Sequence, residues 1–161
     1  MDIHEAAIAQ FLTANGRGFI CPQIDFAYMA EDKSGGSCAD FMVLALDESG
    51  AFEEAVLVEV SAASNISSLC TKLADADSRY FAPAERMLKN VGLPHLCNSL
   101  RMIAFVRDEL VPRGPAAKKY AKVTFFPLEE ATFPYSWWNN RQRGLPDSHQ
   151  QNNHWYSGRN S

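Results

Sequence analysis

The sequence lacks the features that mark exported and membrane proteins. No apolar run approaches the roughly 20 residues that a helix needs to span a bilayer. The segment MDIHEAAIAQ has neither the basic start nor the apolar centre of a signal peptide. We therefore expect no membrane role and a cytoplasmic location. With 161 residues, 47% of them apolar and 21% charged, the chain has the composition of an ordinary globular protein with one core.

Cysteine and glycine motifs are missing as well. The four cysteines stand at wide, unequal spacing, with no C-x-x-C pair and no histidine at ligand spacing, at Cys21, Cys38, Cys70 and Cys97. This pattern predicts reduced, mostly buried thiols rather than a zinc site or disulfides. The glycines of SGGS follow no helix-opening pattern, so a phosphate-binding loop is not indicated.

Basic residues are scarce in the first part of the chain. Through Cys70 there are two basic residues against eleven acidic ones, whereas from Thr71 onward there are thirteen against eight. The net charge of −4 argues against a broadly basic nucleic-acid coat. Segregated charge can place a cation site beside a phosphate-attracting surface, although solvated faces give the same pattern.

The spacing of apolar residues predicts one α/β domain over residues 1–133, in which a mixed β-sheet is flanked by helices in the order α-β-β-β-α-β-β. The predicted elements are a helix at Asp2–Ala14, strands at Phe19–Tyr28, Ala39–Leu46 and Ala55–Ala62, a helix at Ser64–Phe81 that Pro83 interrupts, a helical segment at Ala84–Val91, and strands at Leu100–Val106 and Ala121–Phe126.

The remaining residues, 134–161, form a polar tail that contains three tryptophans and three arginines. A poorly ordered extension explains this composition. The alternative is a surface where bases stack on aromatic rings while arginines meet phosphates.

Two apolar strands each contain one carboxylate, Asp40 in CADFMVLAL and Glu59 in VLVEVSAA. If the hairpin between them is centred on Ser49 and Gly50, Asp40 lies directly opposite Glu59 on the same face of the sheet. Facing carboxylates repel unless a trapped proton or a bound cation offsets their charge, and Mg²⁺ suits two carboxylates because it keeps several waters. The other interpretation is a carboxylate at the sheet rim, or one paired with a lysine or arginine.

These residues, with the element order around them, resemble the PD-(D/E)xK superfamily of restriction-endonuclease-like folds from Asp2 to about Glu130. The resemblance implies a Mg²⁺- or Mn²⁺-dependent nuclease in which Asp40 and Glu59 bind the metal. It also implies that an acidic residue of the first helix, here Glu5, joins the site. The alternative role for Glu5 is a capping box with Asp2.

The sequence departs from the family signature at two positions. Ala39 replaces a proline, and Ser61 replaces the lysine that orients or activates the attacking water. Ser61 shares a strand face with Glu59, but its hydroxyl supplies no positive charge. Some members of the family take the missing cation from the following helix, where Lys72 is the nearest candidate. The spacing of Lys72 with Asp75 and Arg79 is also that of surface ion pairs.

A basic group precedes the last strand and can hold a phosphate backbone, although a solvated loop explains it as well: Arg113, Lys118, Lys119 and Lys122. The resemblance favours DNA over RNA as partner and implies a homodimer for duplex cleavage, with Trp137 and Trp138 as interface candidates. The alternative function is an inactive nuclease-fold module that binds nucleic acid or a protein partner, for example in a conflict between a mobile element and its host.

Overall fold

The computed structural model describes residues 2–26, 38–120 and 122–132 of the chain. The predicted loop at 29–37 and the predicted tail at 134–161, with its tryptophans, lie outside these residues. The last two residues of the first predicted strand and the first residue of the last one also lie outside.

The described residues form an α/β fold with a five-stranded mixed sheet flanked by helices. The strands are β1 (Gly18–Asp25), β2 (Cys38–Leu46), β3 (Phe52–Ser61), β4 (Arg101–Val106) and β5 (Val123–Pro127). The α-helices are α1 (Ile3–Thr13), α2 (Ser67–Ala74), α3 (Ala82–Asn90) and α4 (Leu128–Thr132). Short 3-10 helices at Pro94–Asn98, Asp108–Leu110 and Gly114–Tyr120 fill the connections, the last of them in a segment that the sequence predicted as loop.

The sheet has the strand order β1-β2-β3-β4-β5. The first three strands form an antiparallel meander, while β4 and β5 lie parallel to β3. The change of direction follows from the connections, since a short turn joins β2 to β3 and the helical segment joins β3 to β4. The predicted mixed sheet is therefore confirmed.

The hairpin of β2 and β3 has the predicted register, with Met42 opposite Leu57 and Leu44 opposite Ala55. The turn is fixed by its own side chains, because the Asp47 carboxylate accepts hydrogen bonds from the backbone N–H groups of Ser49 and Ala51 at 2.8 and 2.9 Å. This register sets which side chains of the two strands share a face.

Alternating residues of the sheet face two helical layers. On one face Phe41, Val43 and Val58 pack against Ile8 and Phe11 of α1. On the opposite face Met42, Leu57 and Ala104 pack with Leu69 and Leu73 of α2 and with residues of α3. Strands β3 and β4 are buried on both faces, which explains their nearly continuous apolar sequence.

Helix α1 begins as predicted. The Asp2 carboxylate accepts the backbone N–H groups of His4 and Glu5, each at 2.8 Å, and the Glu5 carboxylate accepts the N–H of Asp2 at 3.0 Å. This capping box holds the acidic end of the helix in one orientation.

The helical segment after β3 differs from the prediction in two places. Helix α2 begins at Ser67 rather than Ser64, because Asn65 accepts the N–H of Ser67 at 2.8 Å and forms the turn that precedes the helix. Pro83 does not separate the two predicted helical segments, because the first α-helix already ends at Ala74. It lies in the first turn of α3, where the missing N–H is tolerated, and a π-helical turn at Asp77–Phe81 leads directly into that helix.

All four cysteines are reduced, as predicted. The prediction that most are buried is wrong, since Cys38 is exposed and the other three are only partly buried at the margin of the core. Within the described residues, no helix is both long and apolar enough to cross a membrane.

Candidate metal and phosphodiester site

Three segments meet at one end of the sheet: the beginning of β2, the end of β3 and the beginning of α1. Asp40 is the third residue of β2, and Glu59 lies two residues before the end of β3. We call these two side chains the carboxylate pair. Both are held by strands whose register is fixed by the core, so their positions are set by packing rather than by a loop.

Asp40 leaves the regular ladder that the hairpin register predicts. The last ladder pair of β2 and β3 at this end is Phe41 with Val58, and beyond it the Asp40 carboxylate, through Oδ2, accepts the backbone N–H of Val60 at 2.7 Å. In the continued register this N–H would face the carbonyl of Ala39, so the side chain takes the place of a ladder bond. The bond fixes one carboxylate oxygen of Asp40 directly against β3.

Burial raises the pKa of Asp40, and the hydrogen bond from Val60 opposes this effect. The negative charges of Glu5 and Asp2 raise the pKa further, whereas Lys72 lowers it. The acidic end of α1 therefore acts on Asp40. Glu5 completes the capping box with Asp2, and its charge acts on Asp40; its predicted part in a metal site stays a prediction.

Glu59 is the one charged residue that is buried among the described residues, with 7% of its surface exposed. Burial raises its pKa from 4.5 to about 7, and the charge of Asp40 raises it as well, while Lys72 and the Tyr80 hydroxyl lower it. Oε1 of Glu59 is buried and has no hydrogen-bond partner in the described part of the chain. Leaving a charged oxygen in this state is costly unless a proton or a cation occupies it.

Lys72 is exposed on α2, and its positive charge acts on Asp40, Glu59 and Cys38. The alternative prediction for Lys72 is a surface ion-pair network with Asp75 and Arg79. Only part of this network is present, because Arg79 pairs with Asp75 at 3.6 Å while Lys72 forms no ion pair within the described ranges. The side chain therefore remains available to the carboxylate pair. Ser61, the last residue of β3, lies beside Val106 of β4 on the Glu59 side of its strand and is partly buried.

Two residues near the pair were missed by the sequence interpretation. Tyr80 is fully buried, packs edge-on against Phe26 with the ring centroids 6.4 Å apart, and acts on Glu59. The apolar stripe of Leu69, Leu73 and Ala76 continues to Tyr80, so its inward direction could have been predicted. Cys38 lies two residues before Asp40, and burial together with the charges of the neighbouring carboxylates raises the pKa of its thiol.

The predicted basic group divides into two sets. Arg113 pairs with Asp108 at 3.1 Å, and Lys122 pairs with Asp77 and lies over the Phe81 ring, 5.3 Å from its centroid. Lys118 and Lys119 are exposed, and neither has an ion pair within the ranges that the structure describes. Their segment contacts α2, the helix that carries Lys72. The free cations of the group therefore lie on the segment next to that helix.

The carboxylate pair could hold a hydrated Mg²⁺ or Mn²⁺ ion. Mg²⁺ takes one or two carboxylates and completes its shell with waters, and Glu59 offers a buried oxygen that has no partner within the described residues. Across residues 2–26, 38–120 and 122–132, no group of three or more acidic, histidine or cysteine side chains is arranged to hold a metal.

Comparisons with protein-family models, with curated proteins and with solved structures gave no match to this chain.

Proposed function

We propose that this protein is a Mg²⁺-dependent phosphodiesterase with a restriction-endonuclease-like fold that acts on nucleic acid. The observation that carries the proposal is Glu59, a buried carboxylate whose Oε1 has no hydrogen-bond partner in the described part of the chain and on which the charges of Asp40 and Lys72 act. A fold retains such a group at a cost in stability, so a functional role is the simplest physical reason for it. A cation removes that cost.

In this proposal Asp40 and Glu59 hold the metal, which when bound polarises the phosphodiester and stabilises the charge that develops on it. Glu5 strengthens the negative potential of the site from α1. Lys72 takes the position of the signature lysine, and its ammonium group orients the attacking water and offsets charge on the phosphate. Ser61 supplies a hydroxyl on the Glu59 side of β3.

Nucleic acid is the proposed substrate because two lysines without an ion pair in the described part of the chain, Lys118 and Lys119, lie on a segment that contacts α2, the helix of Lys72. Lysines of this kind bind phosphates as point charges without reading sequence. Arg113 and Lys122 can join them only by leaving their carboxylate partners, and we assign them a smaller contribution.

Replacing Lys72 with methionine should lower the rate of Mg²⁺-dependent plasmid nicking by about 100-fold, the lower end of what one positioned donor to developing charge contributes. The measurement is a time course of nicking of supercoiled plasmid. Lys89→Met is the matched control, since Lys89 is an exposed helical lysine paired with Glu85 at 3.7 Å. Equal rates for Lys72→Met and wild type would remove Lys72 from the site.

A module that binds but does not cut is the second candidate, and two observations favour it. Ser61 brings no charge to the position of the signature lysine. Within the described residues, no third metal-binding side chain joins Asp40 and Glu59. Such a module would bind nucleic acid or a protein partner without Mg²⁺-dependent nicking, whereas the proposed enzyme requires both the metal and the carboxylate pair.

A further inference from the structure

Gln23 of β1 has a backbone conformation that glutamine rarely adopts. Its φ is +49°, in the left-handed region, and it is the one non-glycine residue with a positive φ in the described part of the chain. Such conformations in residues other than glycine are uncommon and, where they persist, cluster at functional sites. Glycine would fill this position without strain if only a change of backbone direction were needed.

The strained residue lies next to the carboxylate pair. In the register of β1 and β2, Pro22 is opposite Phe41 and Ile24 is opposite Ala39, so Gln23 occupies the position opposite Asp40. Opposed residues of antiparallel strands have Cα atoms about 4.5 to 5.5 Å apart. Asp40 is therefore flanked by Gln23 on one strand and by the β3 end that carries Glu59 on the other.

The side chain of Gln23 is exposed, and within the described residues β1 forms one edge of the sheet. No packing requirement therefore explains a long amide at this position. The charges that act on Asp40 are mostly negative, since Asp2 and Glu5 raise its pKa and Lys72 opposes them. A phosphate that approaches needs hydrogen-bond donors, and an amide supplies two without adding a charge.

We propose that Gln23 contacts the substrate, its amide donating hydrogen bonds to a non-bridging phosphate oxygen of nucleic acid held at the carboxylate pair. This inference rests on the proposed function. Gln23 is thus a binding residue that the family signature does not contain.

The test compares three variants with wild type. Gln23→Gly removes the amide and relieves the strain, Gln23→Asn keeps a shorter amide in a residue that tolerates positive φ, and Gln10→Ala replaces an exposed glutamine of α1 as control. Each protein is titrated with a fluorescent single-stranded thymidine oligonucleotide in Ca²⁺, which holds phosphates while slowing cleavage. Mg²⁺ binding is measured by calorimetry and the melting temperature by circular dichroism.

We expect Gln23→Gly to weaken oligonucleotide binding by about tenfold, the loss expected for hydrogen bonds to a charged group. Its Mg²⁺ binding should equal that of wild type, and its melting temperature should be equal or higher by about 2 to 4 °C. Gln23→Asn should retain part of the affinity and Gln10→Ala all of it. Equal oligonucleotide binding by Gln23→Gly and wild type would overturn this inference alone. Absence of both Mg²⁺ and oligonucleotide binding in wild type would overturn the proposed function and this inference with it.

Discussion

Asp40→Asn should abolish Mg²⁺-dependent cleavage without loss of the fold. The variant keeps the shape of the side chain and removes the charge that holds the metal. Metal ions contribute several kcal/mol to stabilisation of a transition state, and each 1.36 kcal/mol is tenfold in rate. We therefore expect nicking of supercoiled plasmid to fall by more than about 100-fold.

The structure explains why asparagine rather than alanine is the informative substitution. Oδ2 of Asp40 accepts the N–H of Val60 at 2.7 Å, and the carbonyl oxygen of an asparagine can accept the same bond. Alanine leaves that partly buried N–H without a partner, at a cost of about 1 to 3 kcal/mol. Thermal unfolding should thus show Asp40→Asn at or above the stability of wild type and Asp40→Ala below it.

The same two variants separate metal binding from folding. Calorimetric titration with Mg²⁺ and Mn²⁺ should give a signal for wild type and none for either variant. A loss of stability in Asp40→Asn together with unchanged nicking would contradict the assignment of Asp40 as a metal ligand. Metal-independent binding of nucleic acid by wild type, with no nicking, would support the second candidate function.

The strands and the hairpin register could be predicted from the sequence for a simple physical reason. Strand side chains alternate with a period of two, and the segment DESG offers one turn position, so the pairing of Met42 with Leu57 followed. The same pairing predicts that Asp40 and Glu59 lie at the same end of the two strands. The capping box of α1 followed equally directly from the spacing of Asp2 and Glu5.

The local geometry of the pair could not be predicted in the same way. Asp40 replaces a ladder bond with its own carboxylate, and Gln23 adopts a left-handed conformation opposite it. Both are departures from regular pairing, which a periodic pattern cannot reveal. The π-helical turn at Asp77–Phe81 is a third departure, because an apolar pattern does not distinguish its i to i+5 hydrogen bonding from that of an α-helix.

These departures lie around the same carboxylates. The core of the sheet follows sequence rules closely, whereas irregular backbone and a buried charge occur at Asp40, Glu59 and the segments beside them. Local rules are most often broken at sites retained for function. The acidic end of α1 contributes to the same concentration of charge, because Glu5 and Asp2 make the ionised form of Asp40 less favourable.

Glu59→Gln should stabilise the protein at pH 8.5 by about 3 kcal/mol and leave its stability nearly unchanged at pH 4. The folded state raises the pKa of Glu59 from 4.5 to about 7, so between these values the folded protein binds a proton that the unfolded chain releases. The stability of wild type therefore falls as the pH rises from 4.5 through 7. Glutamine is neutral at every pH and avoids this loss.

Urea unfolding of both proteins at several pH values between 4 and 8.5 measures the difference directly. Glu53→Gln is the control, because Glu53 is an exposed glutamate of the same strand and its substitution should change stability little at either limit. Mg²⁺ should raise the stability of wild type at pH 8.5, because the cation offsets the buried charge. It should leave Glu59→Gln unaffected, since the amide cannot replace the carboxylate as a ligand.

The result distinguishes the two physical remedies for the carboxylate pair. If a proton alone offsets the charge of the carboxylate pair, the stability of wild type will depend on pH and Mg²⁺ will not change it. If a cation belongs there, Mg²⁺ restores at pH 8.5 much of the stability that ionisation removes. A Glu59→Gln variant less stable than wild type at pH 8.5 would contradict the burial of an ionised Glu59. The ionised carboxylate of Glu59 would then have a stabilising partner that the amide of glutamine cannot replace. The main argument for the metal site would no longer hold.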